Sequence, residues 1–221
     1  MLSTIARKNL MAATGLMLCL FLLVHVLGNV PLLLPATLGE AMFNRYAELL
    51  SGLLPIEVAG VITLASIALH AGLSLVLGKQ ARAAVGRRPV ASPVPATSPW
   101  YSRFMGATGL LVLAFVGLHL WDFWYPYKYG GDALGRDALG QRDLYGLVAS
   151  MLGGSGRAAF YVLSTLTLGV HLRHGVHSGF RSLGLHPPGL ARLVRRLGTA
   201  FAMAVTLAFV AMTVAVFLRQ G

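Results

Sequence analysis

The chain has 221 residues, 56% of them hydrophobic and 11% charged, with 18 lysines and arginines against 7 acids. Soluble domains carry about 25% charged residues, so this composition excludes an ordinary soluble globule and points to a membrane protein. The single cysteine, Cys19, excludes an intrachain disulfide and a thiol redox pair, and the lack of any C-x-x-C-H excludes a covalently attached haem.

Arg7 and Lys8 precede the first apolar stretch in the manner of a secretory signal. That stretch is too long for one, lacks a small-x-small cleavage pattern and contains His25, so it reads as a retained membrane span. A bilayer core needs about 20 apolar residues per helix. Five segments qualify: residues 10–30, 55–77, 104–125, 157–178 and 197–218. Pro31 and Pro35 close the first, Pro126 closes the third, and Pro187 and Pro188 follow the fourth, because proline has no N–H to give a helix ladder. Residues 89–99, with four prolines, form a loop between the second and third spans. No soluble domain fits between the spans. The expected fold is a single all-α membrane domain over residues 1–221, with five transmembrane helices in one bundle.

Orientation follows from the basic residues of the short loops. Arg7 and Lys8 lie before the first span, Lys79, Arg82, Arg87, Arg88 and Arg103 between the second and third, and Arg181, Arg192, Arg195 and Arg196 between the fourth and fifth. The other loops hold fewer basic residues and all seven acids: Glu40, Glu48, Glu57, Asp122, Asp132, Asp137 and Asp143. This puts the N-terminus in the cytoplasm and the C-terminus outside. The net charge of +11 is therefore a topology signal rather than a nucleic-acid footprint.

His25, His70, His119 and His171 each sit late in a different span. An imidazole in hydrocarbon is costly unless it has a partner, and four of them at matching depths read as axial ligands of two haems. Odd-numbered helices run outward and even-numbered ones inward, so His25 pairs with His119 in the outer half and His70 with His171 in the inner half. At 1.5 Å per residue the two layers are expected about 10–15 Å apart. An internal repeat supports the pairing: Met11-x-Ala13-Thr14-Gly15-Leu16 precedes His25 as Met105-x-Ala107-Thr108-Gly109-Leu110 precedes His119, with Phe21 and Phe115 aligned. Gly28, Gly117 and Gly175 are candidates to let a macrocycle approach the backbone, or else to pack helices closely. His174 shares a face with His171 and is its rival as ligand. His177 falls near the headgroups, and His186 beside Pro187 in a loop.

At these residues the chain resembles the five-helix, di-haem cytochrome b subunit of succinate:quinone oxidoreductases and fumarate reductases. The first match runs from Thr14-Gly15-Leu16 through His25-x-x-Gly28-Asn29 to Phe43-Asn44-x-Tyr46. The second joins Arg88-Pro89-Val90 to Ser102-Arg103-x-Met105-x-x-Thr108-Gly109 and His119-Leu120. The third is Asp143-Leu144-Tyr145-x-x-Val148, then His171-Leu172-x-His174-Gly175-x-x-Ser178-x-Phe180-x-x-Leu183-Gly184. Arg181 stands where many members of that family have a glutamine.

The resemblance implies a multi-pass protein of the bacterial cytoplasmic membrane that carries two haems b on His25, His70, His119 and His171. It also implies a flavoprotein and an iron–sulfur subunit docked on the cytoplasmic face. Electrons would pass from succinate through the soluble subunits and both haems to menaquinone or another quinone, with no succinate chemistry performed by this chain. Haem propionates need cations or hydroxyls; Ser102, Arg103 and Arg181 are the inner candidates and Lys128 the outer one. Quinol chemistry exchanges protons near the outer haem and water, for which Glu57 and Asp122 are the candidates. The rivals are the cytochrome b anchor of another respiratory enzyme, such as a hydrogenase, a formate dehydrogenase or a fumarate reductase, and a haem-free proton-coupled transporter.

Overall fold

The computed structural model describes residues 3–85, 104–185, 187 and 189–220. Ser102 and Arg103, the basic residues Arg87 and Arg88, the proline-rich segment 89–99, His186 and Pro188 lie outside the described residues.

Helix α1 (Thr4–Asn29) starts at Ser3, whose hydroxyl accepts the Ala6 N–H at 3.1 Å and so satisfies one free donor of the first turn. It ends before Pro31, inside a 3-10 turn (Val30–Leu33). A short helix α2 (Ala36–Leu50) follows Pro35, and α3 (Leu54–Val85) carries Pro55 in its first turn, where a missing N–H costs nothing. Helix α4 begins as Met105–His119, passes through a π-helical turn at Leu120–Trp124 and finishes as Tyr125–Tyr129. Then come α5 (Leu144–Leu152), α6 (Ser155–Ser182) and α7 (Ala191–Gln220). Every named element among the described residues is helical.

Among the described residues, four helical segments are long and apolar enough to cross a membrane: Thr4–Leu33, Leu54–Ala83, Met105–Tyr129 and Ala191–Gln220. The expected fourth span corresponds to α6, which has 28 residues but is interrupted by Arg157, Arg173, Arg181 and three histidines. It packs along α7, α1 and α4, so much of its surface meets protein instead of lipid and has less need to be apolar. Pro126 does not close the third span. The Tyr125 N–H bonds back to the Leu120 carbonyl, a five-residue step, and Pro126 then falls in the first turn of the resumed helix, where its lost donor is harmless.

The short helices α2 and α5 have no counterpart among the expected spans. With the loop between α4 and α5 they form a cap over one end of the bundle. Asn44, fully buried, is its hub: Nδ2 donates to Asp137 at 3.2 Å and Asp143 at 3.1 Å, and its oxygen accepts the Tyr145 N–H at 2.8 Å. Against a desolvation that raises it, hydrogen bonds from the Gln141 amide, Asn44 and the Leu139 amide hold the Asp137 carboxyl below its ordinary value. Arg142 binds Glu48 at 3.1 Å and Ser51 at 2.6 Å, and lies over the Tyr127 ring. Arg219 at the end of α7 donates to the carbonyls of Leu32 and Leu33.

Beneath the cap lies the main apolar core, where Leu32, Phe43, Tyr145, Leu152, Tyr161 and Val216 meet. The other side of the bundle is open by comparison. Helix α3 packs chiefly on α1 and meets α4 only lightly, and the Met105–His119 part of α4 has no buried residue.

Candidate functional site: two histidine pairs

The four histidines meet in two pairs. His25 of α1 faces His119 of α4 with ring centres 5.7 Å apart and planes at 90°. His70 of α3 faces His171 of α6 at 6.5 Å and 76°. The first pair lies at the cap end of the bundle and the second toward the far end. His174, the rival ligand one turn beyond His171, is not the ring that faces His70.

The repeat explains why the pairs form where they do. Thr14 and His25 on α1, like Thr108 and His119 on α4, are eleven residues apart, close to three full turns and therefore on one helix face. Each helix thus presents its own histidine at the cap level and a threonine at the far level. The Thr14 hydroxyl lies 3.3 Å from His70 Nδ1, and the Thr108 hydroxyl 3.4 Å from His171 Nδ1. Eleven residues at 1.5 Å each separate the two levels by about 16 Å on both helices, slightly more than the sequence spacing suggests.

The surroundings differ by level. Phe21 stacks on His25 at 5.3 Å and 17°, and Phe209 of α7 lies 5.6 Å from the same ring. His119 is walled by Phe115, Phe123 and Tyr161 at 5.3–6.1 Å. The His25 side meets one amide, Asn29 Nδ2, at 3.5 Å from Nδ1. His119 Nδ1 is buried and has no hydrogen-bond partner among the described residues.

The ring-centre separations of both pairs match those of a metal held between two imidazoles. Two metal–nitrogen bonds of about 2 Å, with each ring centre about 1 Å behind its nitrogen, put the ring centres ~6 Å apart, and the observed separations bracket that value. At the far level Nδ1 of each ring is directed at an oxygen, which leaves Nε2 as the free ligand atom. A macrocycle also needs room. A Cβ on Gly117 would meet nothing within 4 Å, and one on Gly175 would meet only Met105 Cε, at 3.7 Å. Gly28 serves otherwise: a Cβ there would come within 2.9 Å of the Tyr46 ring, so this glycine seats α2 against α1.

The two carboxylates expected near water part company. Glu57 is half-exposed and pairs with Lys128 at 2.9 Å, tying the start of α3 to the end of α4. Lys128, expected at a propionate, is thereby committed to Glu57. Asp122 is 2% exposed and accepts from Tyr161 Oη at 2.8 Å and Arg157 at 3.1 Å. The π turn carries it toward α6, away from water, so it is an internal ion-pair partner beside His119 and not a water-facing acid. Arg181 is exposed in the last turn of α6, at the far end.

Sequence reasoning did not assign Arg157, Tyr161 or the two threonines to the site. The threonines could have been found from their eleven-residue spacing to a histidine. Tyr161 and Arg157 carry no local signal, because only the packing of α6 on α4 brings them to Asp122. No protein-family model, curated protein or solved structure matches the chain.

Proposed function

We propose that the chain is a di-haem b membrane anchor of the succinate:quinone oxidoreductase type, passing electrons between a cytoplasmic iron–sulfur subunit and a membrane quinone. One observation carries the reading: two facing histidine pairs, His25–His119 between α1 and α4 and His70–His171 between α3 and α6, at two levels of one bundle. Structural histidines in an apolar bundle have no reason to face one another twice at metal-bridging separation.

In this reading His25 and His119 hold the outer haem, His70 and His171 the inner one, and α6 is the fifth span. The cap faces outside, because the positive-inside rule puts the loops richer in lysine and arginine, at the other end, in the cytoplasm. Bound there, haem iron supplies one-electron transfer at a potential set by its ligands and their surroundings. The chain's own residues do the rest. Phe21, Phe115, Phe123 and Phe209 keep the outer imidazoles dry and oriented. Glu57, half-exposed at the cap end, is the carboxylate able to exchange protons with a quinol and with water, and Lys128 holds it in place. At the far end Arg181 supplies charge for inner propionates and for docking the soluble subunits.

The test is a haem-to-protein ratio with a redox titration of the purified full chain. Two haems titrating in two steps are expected. A chain isolated from haem-replete cells without haem would overturn the reading, and a ratio of one would overturn the two-level arrangement.

A further inference from the structure

We infer that Thr14–Gly15 and Thr108–Gly109 are matched seats that fix the tautomer and position of His70 and His171, so that each presents Nε2 toward the other. This rests on the di-haem reading for its consequence, but the seats themselves are a property of the chain.

The direction is fixed at His70 by the Met11 carbonyl and is assigned at His171 by the matched register. The Thr14 hydroxyl reaches the carbonyls of Leu10 and Met11, both at 3.0 Å, and the Thr108 hydroxyl those of Phe104 and Met105, both at 3.1 Å. A hydroxyl has one proton, and here it goes to its own helix backbone. What remains toward the imidazole is a lone pair, which assigns the proton to Nδ1 of the histidine. The Met11 carbonyl, 3.1 Å from His70 Nδ1, demands the same. With Nδ1 protonated, Nε2 is the unprotonated ligand nitrogen.

The adjacent glycines set the depth of each ring. A Cβ on Gly15 would stand 3.1 Å from His70 Cε1, and one on Gly109 3.3 Å from His171 Cε1. Both rings therefore lie close against a bare helix backbone, and a methyl group there would require each to shift by a few tenths of an ångström. Threonines bonded back to their own helix are common in membrane segments. Two of them in the same register, each beside a glycine and each against a histidine of another helix, make a device used twice.

The two seats are unequal. His70 has two acceptors, whereas His171 has Thr108 and no second acceptor among the described residues. Thr108→Val should therefore act more strongly than Thr14→Val. Losing an acceptor weakens the imidazole as a donor to iron and raises the potential of the centre it ligates.

The experiment has two arms on the full chain in lipid nanodiscs. In the haem-free protein, 15N shifts of labelled histidine should report protonated Nδ1 at His70 and His171, with His171 becoming a tautomer mixture in Thr108→Val. In the haem-loaded protein, the redox step and low-spin EPR signal abolished by His70→Ala should move to higher potential in Thr108→Val. They should move less in Thr14→Val and stay unshifted in Thr108→Ser, while the other step stays fixed in all three. Gly15→Ala and Gly109→Ala should lower the haem ratio from two toward one, although alanine favours the helix itself. Unchanged tautomers and an unchanged redox step in Thr108→Val would overturn the seats. A wild-type chain with the expected tautomers but no haem would instead overturn the proposed function and leave the seats standing.

Discussion

The two histidine pairs share α1, α4 and α6 as scaffolding and differ in what holds their rings. At the far level the rings rest on polar contacts: His70 and His171 each aim Nδ1 at a threonine hydroxyl beside a glycine. At the cap level they rest on aromatic walls, and His119 Nδ1 has no acceptor among the described residues. Asp122, three residues after His119, is spent on Arg157 and Tyr161. One level is thus oriented by hydrogen-bond direction and the other by shape. A site held by direction should be sensitive to losing a single hydroxyl, and a site held by shape to losing the buried network behind its wall.

The largest test of this contrast is ligand removal. Alanine at His70 or His171 should remove one haem, and alanine at His25 or His119 the other, each lowering the ratio from two to one by pyridine haemochrome. His174→Ala should leave it at two. If any single replacement removed both haems, the levels would not be separable.

Next in size is the network behind the outer pair. Asp122→Asn leaves Arg157 without its counter-charge and weakens the Tyr161 bond, and should cost about 1–3 kcal/mol in thermal or denaturant unfolding. The outer haem should loosen before the inner one. Equal loss from both levels would mean that Asp122 supports the whole bundle and not the outer wall.

Glu57→Gln is expected to slow quinol turnover several-fold with both haems retained. Its stability cost should stay within about 1 kcal/mol, because the pair with Lys128 is exposed. Full turnover would remove Glu57 from the proton path and leave the cap level without a water-facing acid among the candidates.

The smallest effect concerns acid. The Asp137 carboxyl sits below its ordinary value, so its contribution to the cap is present above the usual aspartate range. It fades as pH falls through the lowered value. Hydrogen exchange of the Leu139 and Gln141 amides should rise, relative to the expected pH trend, below about pH 3.8, with those at the far level unaffected.

Much of this was legible in the chain. Apolar length located the long helices, and the loop charges gave the expected alternation of direction on which the pairing of His25 with His119 and His70 with His171 rests. The Thr14 and Thr108 copies could be seen as a repeat, but what a repeat presents its residues to lies on other helices. Pro126 was misleading because its ordinary meaning, a helix stop, depends on a regular ladder that the π turn replaces. Asp122 was misleading for a related reason: its spacing from His119 gave the correct face but not what packs against that face.

Periodicity, charge asymmetry and histidine placement are properties of single segments measured against a bilayer, and a sequence carries them in full. They determined the all-helical bundle, its long apolar helices and the partner of each histidine. Contacts between helices distant in sequence belong to the tertiary structure alone. It decided that α2 and α5 form a cap, that Arg157 and Tyr161 enclose Asp122, and that each repeated threonine faces the histidine of another helix. Those choices depend on which surfaces meet, and no single segment encodes that.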